Sequence, residues 1–213
     1  MAAKPSDDSG VPSGEGISIE KLEQAVASMP DSANAHYNLG LALVQHKEWD
    51  RGLQEFRTAL RLKPGLLEAR VNVAGILLQK GDYDGCIEES LKALQYRPDL
   101  IQACINVGIA FMHKAMIEQA VQSFQNALRV DPNSAVAHLN LGNAYLALGE
   151  IDKSVEHNRR AVEIHAGFAM AHNNLGVALF HKGEIERARK HVLLAKSLGY
   201  PVNPDFLKEL GEE

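Results

Sequence analysis

A period of 34 residues constrains this chain more than any other feature. Small residues fall at Gly40, Ala74, Gly108, Gly142 and Gly176, each one period after the last. A second small series runs Gly52, Cys86, Ala120, Ser154 and Ala188. A third is alanine throughout, at Ala59, Ala93, Ala127, Ala161 and Ala195. Prolines keep the same interval at Pro30, Pro64, Pro98 and Pro132. Four series on one ruler describe a stack of like repeats, none of which buries its apolar face alone.

Within each repeat the apolar spacing is helical and comes in two bursts. The first repeat shows Tyr37, Leu41 and Val44 in one burst, then Leu53, Phe56 and Leu60 in the next. Breakers separate the bursts, such as "QKGD" at Gln79 to Asp82 and "ALGE" at Ala147 to Glu150. The proline after the second burst cannot continue a helix. Each repeat is therefore expected to be an antiparallel pair, helix A then helix B. Helices approach to about 8 Å only where the crossing side chains are small. The small residue of helix A is thus expected to meet the small residue of helix B. The alanine series of helix B would admit the next helix A.

The boundaries follow from the period. Five repeats are expected at 33–66, 67–100, 101–134, 135–168 and 169–202. Residues 17–32 lie in register as a lone helix B, with Leu22, Ala25 and Pro30 in phase. Residues 203–213 place Phe206, Leu207 and Leu210 on one face of a short capping helix. Residues 1–16, rich in Ser, Gly, Asp and Pro, are predicted to be a disordered tail. Some repeats depart from the pattern. Ser90 and Asn158 stand where Phe56 and Phe124 stand elsewhere, Ala166 replaces a closing proline, and Pro201 follows Tyr200 one place late. Helix B of the fourth repeat is expected to pack more loosely.

Composition narrows the function. A formal charge of −5 argues against a nucleic-acid binder, which usually carries a basic field. No apolar run reaches the length of a membrane span, and no signal peptide is evident, so the expected location is cytoplasmic by default. Cys86 and Cys104 form no CxxC motif and no disulfide framework.

Small-Leu-Gly in helix A, Ala and Phe in helix B, and a closing proline at this period resemble the tetratricopeptide repeat (TPR). The resemblance covers most of the chain. It implies an all-α, right-handed TPR solenoid of antiparallel helix pairs, with an N-terminal half repeat and a C-terminal capping helix. In such a stack the helices A line the concave wall.

One series is not explained by packing. Asparagine holds the sixth place of every repeat, at Asn38, Asn72, Asn106, Asn140 and Asn174. Each costs roughly 0.6 kcal/mol of helix propensity against alanine. The neighbouring fifth place drifts through Tyr37, Val71, Ile105, Leu139 and Asn173, and the ninth through Leu41, Gly75, Ile109, Asn143 and Val177. A carboxamide both donates and accepts, so such a row can pair with the main chain of an extended guest. Helices about 8–10 Å apart would meet a strand advancing about 3.3 Å per residue at every third residue or so. The series resembles the asparagine ladder of the TPR superhelix in O-linked N-acetylglucosamine transferases, which holds extended peptide. The transferase domain itself is absent. The other reading is that the asparagines are solvated or brace the neighbouring helix.

The predicted peptide-binding residues are Asn38, Asn72, Asn106, Asn140, Asn174, Tyr37, Leu41, Val71, Ile105, Ile109, Leu139, Asn143 and Asn173. Leu78, Met112, Leu146 and Phe180 extend the apolar wall, with Glu68, His113 and His181 as its ionisable members. The family's carboxylate clamp for chaperone tails needs Lys at the fifth place, which is never Lys here. That partner class is rejected.

Other chemistry finds little support. His36, His138 and His172 hold the fourth place and are expected to pack, one per repeat, with no helical pairing suited to zinc. No metal or cofactor is expected. No serine, cysteine or carboxylate sits in phase with a histidine to form a nucleophile–base pair. Cys86 and Cys104 read as inert packing thiols. Basic stretches "EHNRRA" and "ERARKH" on the last helices B read as a solvated face. The expected function is a non-enzymatic scaffold or adaptor that takes an extended peptide or partner segment. The alternative is a self-assembling homo-oligomer whose groove takes a segment of another copy, such as residues 1–16.

Overall fold

The computed structural model describes residues 18–212. The expected tail at residues 1–16 lies outside that range, as do Ile17 and Glu213. Among the described residues the structure is twelve helices and no strand. They divide into an N-terminal unit ending at Tyr96 and a C-terminal unit beginning at Arg97.

The N-terminal unit holds α1 (Ile19–Ser28), α2 (Ala33–Gln45), α3 (Trp49–Leu62), α4 (Leu67–Gln79) and α5 (Tyr83–Tyr96). Each packs on the next in chain order. The Ser32 hydroxyl opens α2 by accepting the Ala35 amide at 3.3 Å, and Ser18 opens α1 likewise; such caps contribute about 1 kcal/mol each. Leu22 of α1 is fully buried against Leu39, Ala42 and Leu43 of α2, so the lone helix covers the first pair.

The C-terminal unit holds α6 (Ile101–His113), α7 (Ile117–Val130), α8 (Ala135–Ala147), α9 (Ile151–Ile164), α10 (Ala169–His181), α11 (Ile185–Ser197) and α12 (Pro204–Glu209). Consecutive helices pair from α6 to α11, and α8 also touches both α6 and α10. The helices A of this unit therefore form one wall. The short α12 closes it: Phe206 meets Phe180 edge to face with ring centroids 5.3 Å apart, and Leu210 is buried.

The turn from helix A to helix B needs one residue in the left-handed region. Gly81, Gly149 and Gly183 supply it at φ between 73° and 84°. Lys47 and Ala115 hold the same place at 63° and 56°, at a cost of roughly 1–2 kcal/mol each.

At the seam between A and B the small residues do meet, and the glycine of helix A has a second role. A Cβ on Gly40 would lie 2.7 Å from the Phe56 ring, so the glycine also makes room for an aromatic side chain. The small–small approach is seen at Gly52, where a Cβ would lie 3.3 Å from the Gly40 carbonyl. Gly108 accommodates Phe124 in the same way. In the fourth repeat Gly142 faces Asn158, and in the fifth Gly176 faces Val192. Asn158 is fully buried. Its amide donates to the Ser154 carbonyl at 3.0 Å, while its Oδ1 has no partner. The departure of this helix from the pattern is thus a buried orphan oxygen at a closed seam.

Candidate functional site

The exposed parts of the helix A faces carry most of the predicted binding residues. In the N-terminal unit Tyr37, Asn38 and Leu41 on α2, and Val71 and Asn72 on α4, are all half-buried. The Asn72 amide donates to the Tyr37 hydroxyl at 3.4 Å. Burial pushes the Tyr37 phenol up, against the opposing effect of that hydrogen bond, and the Glu68 carboxylate adds to the rise. The phenol is therefore neutral across the physiological range and free to accept.

In the C-terminal unit the predicted residues divide. Ile105 and Leu139 are each only 4% exposed and Asn106 only 3%. These three belong to the packed interior and present no contact surface. Leu139 packs into the core with Val155, Leu175 and Leu179, and Asn106 accepts from the Gln102 side chain of its own helix at 2.9 Å. Ile109, Asn140, Asn143, Asn173 and Asn174 stay half-buried. The Asn140 amide donates to the Val136 carbonyl at 2.8 Å, and its Oδ1 takes no donor among the described residues. Asn173 donates to Asn174 at 3.2 Å, and Asn174 donates to Asn143 Oδ1 at 2.8 Å, so a short amide chain joins α10 to α8.

Between α6 and α8 the surface opens into a pocket of about 330 Å³ lined by Ile109, Met112, His113, Asn140 and Asn143. Apolar side chains and two carboxamides thus share one concavity. An apolar guest side chain gains from burial there, at about 25 cal/mol per Å², while the amides meet the polar groups of its backbone.

Two readings of the sequence need correction at the histidines. His36 does face a carboxylate: its Nδ1 lies 2.6 Å from Glu55 Oε2. His138 and His172 do not stand alone either, since each contacts a second histidine 19 residues on, His157 and His191. The signal was present as two co-periodic places, the fourth and the twenty-third of each repeat. His36 and His172 are buried and His138 is half-buried. Among the described residues no group of three or more metal-ligating side chains comes together. Both thiols are buried. Burial raises the Cys86 thiol to about 11 and pushes Cys104 up as well, which keeps both protonated and unreactive.

Comparison with known proteins agrees with this architecture. The tetratricopeptide repeat description matches residues 17–66 and 67–100, and the TPR repeat description matches 116–149 and 142–183. No curated protein matches the chain. Among solved structures, PilF of Pseudomonas aeruginosa superimposes with a TM-score of 0.73 at 19% identity, over 85% of this chain and 80% of that one. MamA of Desulfovibrio magneticus gives 0.68 at 20%, over 78% and 94%. YrrB, described as a TPR protein with an unusual peptide-binding site, gives 0.64 at 20%, over 85% and 94%. At such identities the likeness concerns the fold. With most of its length matched by the repeat descriptions, the chain belongs to the tetratricopeptide repeat family.

Proposed function

We propose that this chain is a non-enzymatic scaffold that binds an extended segment of a partner protein on the helix A faces of its repeats. The observation that carries the reading is the pocket between α6 and α8. It combines the apolar side chains of Ile109 and Met112 with the carboxamides of Asn140 and Asn143 in one opening. That pairing suits a peptide with a medium-sized apolar side chain, held by side-chain burial and by main-chain hydrogen bonds of about 0.5–1.5 kcal/mol net each. After the cost of ordering the guest, a micromolar dissociation constant is expected, near −8 kcal/mol. The unusual peptide-binding site described for YrrB supports the fold's capacity for such a site. The amides bonded to one another at Asn143, Asn173 and Asn174 would exchange partners on binding, which lowers the net gain per rung.

Peptides selected from a random display library on the whole chain test this. Binding by fluorescence anisotropy should fall at least tenfold when Asn140 and Asn143 are both changed to Ala, with the melting temperature kept within a few degrees. Selected peptides that bind the double variant as well as the parent would refute the site. A library that yields nothing, together with a light-scattering mass of two or more chains, would favour self-assembly through the same faces.

A further inference from the structure

The fourth and twenty-third places of the repeats carry polar pairs that tie helix A to helix B, and the chemistry of the pair changes along the chain. In the N-terminal unit each pair ends on a carboxylate. His36 contacts Glu55 through Nδ1 and donates from Nε2 to the Pro30 carbonyl at 3.0 Å. Arg70 donates to Glu89 at 2.5 Å and to the Pro64 carbonyl at 3.3 Å. The third repeat places Cys104 and Ser123 there, and the Ser123 hydroxyl bonds its own helix at Gln119. In the fourth and fifth repeats both members are histidine. His138 Nδ1 lies 3.0 Å from His157 Nδ1, and His172 Nδ1 lies 3.0 Å from His191 Nδ1.

The hydrogen positions in these pairs follow from their outer contacts. His138 Nε2 is 3.1 Å from the Pro132 carbonyl, and His172 Nε2 is 2.9 Å from the Ala166 carbonyl. A carbonyl only accepts, so both Nε2 atoms carry hydrogen and both Nδ1 atoms of the neutral rings accept. The hydrogen between the rings therefore belongs to His157 and His191. The ring centroids are 5.2 and 5.3 Å apart, with planes inclined by 29° and 18°. Two ring radii added to the nitrogen separation account for that whole distance. The nitrogens thus meet head to head, with room for one hydrogen. A first added proton goes to the bare Nε2 of His157 or His191, and the charged ring still donates through Nδ1. A second sets N–H against N–H between two cations.

We infer that the two histidine pairs form an acid-released latch, which loosens α8 from α9 and α10 from α11 as pH falls while the carboxylate pairs keep α2 on α3 and α4 on α5. His36 gives its Nε2 hydrogen to the Pro30 carbonyl, so its Nδ1 donates to the Glu55 carboxylate only when the ring carries a second proton, and acid favours that bond. Around the first histidine pair stand Asp131 at the end of α7 and Glu156 and Arg160 on α9. The Tyr145 ring of α8 stacks on His157 at 5.5 Å, with Lys153 over the same ring. Around the second pair stand Arg159 of α9 and Arg187 of α11. Asp131 and Glu156 favour protonation and the arginines oppose it. Burial, the largest influence, holds His138, His157 and His191 below the ordinary histidine value. A pocket of about 470 Å³ opens on His138 and His157, giving protons a route. Because the folded state favours the neutral rings, their stability is fully present above about pH 6.5. It is lost as pH falls through the depressed folded values.

The test uses the full-length protein. Long-range 15N–1H NMR at neutral pH should show Nε2–H for His138 and His172, and Nδ1–H for His157 and His191. Between pH 7.5 and 5.0 the melting temperature should fall by about 5 °C or more. Hydrogen exchange, corrected for its intrinsic pH dependence, should rise in α8 to α11 and stay level in α2 to α5. His157→Glu with His191→Glu converts both pairs to the kind that His36 makes, and at least half of the fall should disappear. Opposite tautomers, a level melting temperature, or a double variant that falls as steeply as the parent would overturn the inference. If that variant fails to fold, Glu55→His decides it from the other side. Exchange in α2 and α3 should then become acid-sensitive, and exchange that stays level overturns the inference equally.

Discussion

The first repeat of each unit solves the packing problem identically at the seam, whereas the two units differ at the rim. Gly40 lies under Phe56 in the N-terminal unit, and Gly108 lies under Phe124 in the C-terminal unit. At the rim the first unit uses His36 with Glu55 and Arg70 with Glu89, whereas the second uses pairs of histidines. The seam is a steric constraint. Both rings are fully buried, and a ring that close leaves no volume for a Cβ opposite. The rim asks only that a donor meet an acceptor at a set separation, which several side-chain pairs satisfy. Shape is therefore held constant between these two repeats while charge chemistry varies along the chain.

The largest expected effect tests the constant part. Phe56→Ala and Phe124→Ala should each cost about 3–5 kcal/mol in chemical denaturation. A difference of more than about 1 kcal/mol between them would break the claim that the seams are equivalent. A smaller effect tests the variable part. Glu89→Gln should cost roughly 1–3 kcal/mol at neutral pH by leaving the Arg70 guanidinium without its anion. Burial alone would push Glu89 up, but the bonds and charges of Lys92 and Arg70 outweigh it, and the net direction is down. Its contribution is thus present above about pH 4.3 and lost only as pH falls through the depressed folded value. Urea melts across pH 7 to 3 should therefore place this loss well below the histidine range in the parent and remove it in Glu89→Gln. Coincident losses would erase the contrast between the units. The smallest effect lies within the C-terminal unit. Asn158→Val copies the Val192 solution of the fifth repeat and removes the orphan Oδ1. A gain of about 1 kcal/mol is expected, and a loss would show that the Ser154 contact outweighs the orphan.

Much of this was legible along the chain. The helical bursts, their turns and the small-residue series recur at one interval, and a repeated local pattern reports itself. The binding surface was read less well. Ile105 and Leu139 were expected on it because the fifth place looked like one face, yet both are interior. Asn106 shares its letter with Asn140 but not its surroundings: one is buried, the other lines a pocket. The histidine pairs are hidden in the sequence because each half reads alone, one as a packing histidine and the other as part of a solvated basic stretch. Only their common offset of 19 residues connects them.

By itself the sequence determined that the chain would form helix pairs and stack them, since periodicity and turn chemistry act over a few residues and need no partner. What only the tertiary structure decided was which asparagines stay open, which bond one another and which rings meet nitrogen to nitrogen. Those outcomes depend on burial and on distances between helices. They exist only once the stack has brought separate segments to within hydrogen-bonding range.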